Sequence, residues 1–130
     1  ETAGVPVPNT AEGRSLVPLL RGDSVDWRPW YHGEHSPCYE RENAQQFLTD
    51  ERWKYVWNPT TGEEQLFDLD ADPGECQDRA ADQPEELEAW RQRLVEELAG
   101  REEGMSDGSR LQPTLVPVWR FGQGDAVHLG

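Results

Sequence analysis

Apolar residues along this chain follow two different periods, and each predicts a different element. In the run RWKYVW, Trp53, Tyr55 and Trp57 alternate with Arg52, Lys54 and Val56, the two-residue period of a strand with unlike faces. The turn-rich run 58–63 follows, then a second apolar stretch at 65–69, so the two segments should pair as an antiparallel hairpin. Upstream, residues 44–50 read as a third strand turning at Asp50 and Glu51, and 27–34 as a fourth, with Pro29 pushing it towards an edge or an irregular start. After Asp72, Pro73 and Gly74 the period becomes 3.6: Leu87, Trp90, Leu94 and Leu98, helped by Val95, form one apolar stripe.

The ends of that helix are signalled separately. Asp82 and Glu85 are spaced as a capping box, Pro84 suits the first turn, and Glu85, Glu86 and Glu88 complement the positive end of the helix dipole. Gly100 stands as the C′ stop. Near the beginning of the chain Leu16, Leu19 and Leu20 sit at i, i+3 and i+4 between Ser15, a candidate N-cap, and Gly22, with Pro18 keeping the helix short.

These elements predict an α+β fold: a four-stranded antiparallel sheet with one C-terminal helix packed across it, preceded by a short helical turn and followed by an extended tail. The expected division is a linker with that turn over 1–26, the sheet and helix over 27–100, and the tail over 101–130. The Pro- and Gly-rich opening, which starts on Glu1 rather than a methionine, reads as a connection from a preceding domain. Trp119 and Phe121 would be unusual in a solvated tail, so the tail should lie along a surface of this unit or of that other domain.

Composition narrows the partners. With 26 acidic against 12 basic residues and a formal charge of −14, the chain lacks the clustered cations that a nucleic-acid or anionic-membrane surface needs. No apolar run approaches the roughly 20 residues of a membrane span. The compartment cannot be read from the sequence. Cys38 and Cys76 allow at most one disulfide, too few for a stapled scaffold, and are expected as free thiols.

The one cluster of catalytic residue types is HGEHS, from His32 to Ser36. On a strand His32 and Glu34 share a side and His35 takes the other, and the spacing matches neither the zincin nor the zinc-ribbon pattern, so no metal site is assigned. Two readings stay open: polar strand-end residues bonded into a loop, or a pocket wall touching a substrate held by a neighbouring domain. Asp68, Asp70 and Asp72 superficially resemble a calcium loop. With Asp68 as position 1, however, Pro73 and Arg79 fall where an EF-hand needs Gly and Glu, so a strand-to-helix turn is expected. No P-loop, dinucleotide fingerprint or nucleophile elbow occurs. Arg28, Arg52 and Lys54 could draw in an anionic substrate, and the Trp/Tyr alternation could stack a sugar, though buried core is the ordinary use of such a row.

Taken together, EGRSLVPLLRG, WYHGEHS, RWKYVWNPTTGEEQLFDLDADPGE and the helix ending EELAGREEGMSDG resemble the C-terminal part of bacterial arylsulfatases. The resemblance covers nearly the whole chain and is least specific from Arg101 onward. It implies a subdomain joined to a larger N-terminal catalytic domain that hydrolyses sulfate esters with a formylglycine beside a calcium ion. The formylglycine precursor motif C/S-x-P-x-R does not occur here: Cys38 is followed by Tyr-Glu-Arg and Cys76 by Gln-Asp-Arg. The resemblance therefore assigns no catalytic residue to this chain and places calcium and formylglycine in the missing domain. It makes His32, Glu34 and His35 the candidates for the substrate cleft. A phosphonate or phosphodiester hydrolase of the same architecture and a free-standing carbohydrate-binding module are the alternatives.

Overall fold

The computed structural model describes residues 4–6, 8, 10, 13–37 and 40–117. Its elements follow in the order α1 (Val17–Leu20), β1 (Tyr31–His35), a 3-10 turn (Arg41–Asn43), β2 (Gln45–Thr49), β3 (Trp53–Trp57), β4 (Glu64–Asp68) and α2 (Pro84–Glu97). The strands form one antiparallel sheet in sequence order, β1-β2-β3-β4. Short loops explain that order. Asp50 Oδ1 accepts the backbone N–H groups of Arg52 and Trp53 at 2.8 and 2.6 Å, closing the β2–β3 turn. Asn58 Oδ1 does the same for Thr60 and Thr61 between β3 and β4, where Gly62, at φ 78°, supplies the left-handed turn residue.

Register assigns the faces. Leu48 pairs Tyr55 and Tyr55 pairs Leu66, so these side chains share one side with Trp57. Helix α2 lies across that side and adds Trp90, Leu94 and Leu98 to a core in which each of these residues is at most 2% exposed. The helix is bolted to the sheet by a polar network at its rim. Arg91 grips both oxygens of Glu64 at 2.7 Å, and the buried Tyr55 hydroxyl donates to Glu64 at 2.5 Å. Burial, with that hydrogen bond second, pushes the Tyr55 hydroxyl far above its usual range, so the phenol stays a donor.

The opposite face is not bare. Val56 and Phe67 are buried there, and the Phe47 ring lies flat over Gly33, where a Cβ would stand 2.2 Å from Phe47 Cζ. The outer edge of β4 is closed by the following loop: Asp78 Oδ1 accepts the Leu66 N–H, and Arg79 donates its N–H to the Leu66 carbonyl. Beyond Gly100 the chain is not a simple extended tail: it folds back on itself through an antiparallel bridge between Ser106 and Leu111 and then returns to the sheet. Met105 enters the core, Leu111 and Val116 pack against it, and Thr114 N–H bonds to the Pro59 carbonyl. Trp119 and Phe121 lie outside the described residues, as does Cys38. Cys76 is a free, exposed thiol.

Three local expectations are corrected. The first strand starts at Tyr31 rather than Trp27, because Pro29 bends the approach, and it forms an edge of the sheet. Helix α2 has Gln83, not Asp82, at its N-cap and no side chain closes the cap; Pro84 fits the first helical position because it has no N–H to leave unpaired there, and Asp82 approaches Arg79 instead. Likewise the N-cap of α1 is Leu16, while Ser15 Oγ accepts the Val17 N–H from one residue further out. No helix among the described residues is long and apolar enough to cross a membrane.

Candidate functional site

The HGEH run is strand β1, and its register decides what each side chain can reach. His32 pairs Leu48 and Glu34 pairs Gln46, which places both on the helix-covered face; His35 pairs Gln45 on the other side, where it is exposed. Gln46 is the hub. It is buried, bonds His32 Nε2 through Oε1 at 2.7 Å, and donates its amide to Glu34 at 3.5 Å. Because that amide faces Glu34, the Gln46 oxygen faces His32, and His32 Nε2 is the donor of that bond. Nδ1 lies 3.8 Å from Glu97 at the end of α2, and Arg101 reaches Glu34 at 3.3 Å. The structure therefore joins His32 and Glu34 in one network and leaves His35 apart from it.

Outside His32 the surface opens into a cleft of about 330 Å³ lined by Arg14, Arg28, Pro29, Trp30, His32 and Glu97. The irregular stretch before β1 builds it: Arg14 is tethered to the Asp26 carbonyl at 3.1 Å, and Arg28 packs its guanidinium 5.9 and 5.7 Å from the Trp27 and Tyr31 ring centres. The sequence points to Arg28 and His32 separately, and Arg14 and Glu97 join them only through folding.

The remaining sequence candidates have structural work. Arg52 pairs with Asp68 at 2.9 Å, which holds the Asp68 carboxyl below its usual range, and Lys54 pairs with Glu75 at 2.6 Å. Asp72 accepts the N–H groups of Cys76 and Gln77, the strand-to-helix turn expected of this acidic run. No group of three metal-ligating side chains is found among the described residues. Tyr55 and Trp57 are buried and Trp53 partly so; the aromatic row is a core face, not an open platform. Sequence reasoning missed Gln46 and the Glu64–Arg91 pair, because each matters through a partner on another element.

Comparison with known proteins agrees with this architecture. The chain is 36% identical over 111 residues to an arylsulfatase of Clostridium perfringens (strain 13 / Type A), covering 84% of this chain and 22% of that protein. It is 33% identical over 94 residues to arylsulfatase K of Rattus norvegicus, covering 65% of this chain and 16% of that protein. The chain thus spans about a fifth of the length of these relatives. Among solved structures, a 2-O GAG sulfatase superposes with a TM-score of 0.64 at 29% identity, over 74% of this chain and 22% of its own. A protein solved with its substrate D-glucosamine-2-N,6-O-disulfate gives 0.60 at 26% identity, over 74% and 21%. No family model matches the chain.

Proposed function

The chain belongs to the sulfatase family, as its α+β C-terminal subdomain, and from that premise we propose that it serves sulfate-ester hydrolysis by completing a catalytic domain rather than by reacting itself. The observation that carries this reading is that 84% of the chain aligns with an arylsulfatase while spanning only 22% of it. The absence of any C/S-x-P-x-R motif in the sequence agrees with it. Calcium and formylglycine, in this reading, belong to the catalytic domain, where they supply charge stabilisation and the nucleophile.

Two surfaces face that domain in the proposal. Helix α1 presents Leu16, Leu19 and Leu20, which are 59%, 42% and 81% exposed, and the catalytic domain is their cover. Strand β1 offers His32, Glu34 and His35 as part of the substrate wall, with His32 and Glu34 held in place by Gln46. Alanine at each of the three, in a polypeptide joining this chain to its catalytic domain, should lower kcat/KM for sulfate esters. An unchanged kcat/KM across several esters removes the wall assignment. Faster turnover of phosphonate monoesters than of sulfate esters would replace the reaction class.

A further inference from the structure

Among the described residues, Gln46 is the one buried side chain that carries an amide or a charge. It stands on the helix-covered face of β2, between Glu34 of β1 and Trp57 of β3. A buried amide is costly unless its hydrogen bonds are made, and an apolar side chain of the same length would satisfy the packing at that place. Burial therefore does not account for the amide, whereas its two partners do. Gln46 Nε2 donates to Glu34, and its Oε1 accepts from His32 Nε2 at 2.7 Å.

The two ends of that amide cannot be exchanged. An ionised Glu34 offers only acceptors, and Arg101 donates to the same Glu34 oxygen at 3.3 Å, so Gln46 must turn its NH2 group towards Glu34. Its oxygen is left for His32. In a neutral imidazole one nitrogen donates and the other accepts, so an acceptor set against Nε2 selects the tautomer with the proton on that nitrogen. Nδ1 is then the nitrogen turned towards Glu97, 3.8 Å away, and towards the cleft that Arg14 and Arg28 also line. Protonation adds a second N–H at Nδ1 and makes the contact with Glu97 an ion pair.

We infer that Gln46 is a positioning residue of the substrate wall: it selects the tautomer of neutral His32, so that this histidine meets a ligand through Nδ1. The wall itself rests on the sulfatase reading; the choice of tautomer rests on the geometry of this chain alone. The role has a signature in pH. In the neutral form Gln46 decides which nitrogen is free, whereas in the imidazolium both nitrogens carry protons and there is nothing left to select. A residue that only supported packing would act alike on both forms.

Nitrogen–proton correlation spectra of the imidazoles in the full 130-residue chain test the geometry, with the His32 signal identified by its loss in His32→Gln. At about pH 8, above the usual histidine range, His32 should show the pattern of a proton on Nε2, and Gln46→Met should turn it into a mixture of tautomers. Kinetics of a polypeptide joining the chain to the proposed catalytic domain test the role. Relative to the unaltered polypeptide at the same pH, Gln46→Met should lower kcat/KM for sulfate esters by about tenfold at about pH 8 and by a markedly smaller factor at about pH 5. Gln46→Glu, which keeps an acceptor for Nε2, should recover part of the loss. Mixed tautomers or a proton on Nδ1 in the unaltered chain, an unchanged spectrum in Gln46→Met, or a loss of the same size at both pH values would overturn the inference. The spectrum of the unaltered chain keeps it open to refutation even if the methionine variant does not fold. Full kcat/KM in Gln46→Met where His32→Ala is impaired overturns the role of Gln46 and leaves the wall standing; full kcat/KM in both variants removes the wall, and the role with it, whatever the tautomer.

Discussion

Helices α1 and α2 are built on the same apolar spacing and end in opposite environments. In α2 the stripe of Trp90, Leu94 and Leu98 is sealed against the sheet, at most 1% exposed. In α1 Leu16, Leu19 and Leu20 point largely into solvent, and none of the residues of this four-residue helix is buried. Length accounts for part of the difference: α2 has 14 residues, enough to lay three turns across two strands, whereas an isolated helix of one turn is not stable by itself. The lesson is that an apolar period predicts that a face is to be covered and says nothing about what covers it. For α2 the cover is this chain's own sheet; for α1 the proposal assigns it to a catalytic domain.

The sharpest way to break this contrast is at the core of α2. Trp90→Ala should destabilise the chain by about 3–5 kcal/mol, read from urea unfolding by circular dichroism. A cost below about 1 kcal/mol would mean that α2 is no better anchored than α1. Next comes Gly33→Ala, which drives a methyl into the Phe47 ring and should cost about 1–3 kcal/mol. Pairing it with Phe47→Leu should return part of that loss, and no return would show that the close approach is not the cause.

Smaller effects follow on the surface. Hydrogen bonds from Ser109 and Arg110 hold the Asp107 carboxyl well below its usual range. A depressed carboxyl contributes stability that is fully present above its unfolded value of about 3.9 and is lost as pH falls towards its folded value. Asp107→Asn should therefore flatten the fall of Tm between neutral pH and acid, while leaving a smaller slope from Asp68, which Arg52 depresses in the same way. Leu20→Ser should be the mildest change in the chain by itself, within about 0.5 kcal/mol, because its side chain is 81% exposed.

Much of the fold was legible because local signals agreed with the global one. The alternation in RWKYVW, the turn at Asn58 and the stripe of α2 point to the same hairpin and helix that the structure contains. The misplaced details are those where two local rules competed. Pro29 and Trp30 carry strand-like neighbours but cannot join the ladder cleanly, and Pro84 opens α2 without the cap that Asp82 and Glu85 suggested. The candidate site was half legible. The separation of His32 and Glu34 from His35 follows from the two-residue period, whereas Gln46, Glu97 and Arg14 enter from other elements and have no local signature.

The most direct test of the account lies in α1, where the amides of Leu20 and Arg21 bond the Leu16 and Val17 carbonyls at 3.0 and 3.1 Å. Hydrogen exchange at these amides should be compared in the chain alone and in a polypeptide joining it to the proposed catalytic domain. If a catalytic domain covers the leucine face, exchange slows by at least about tenfold in the joined polypeptide while the α2 amides change little. Equal exchange at Leu20 and Arg21 in both would contradict it.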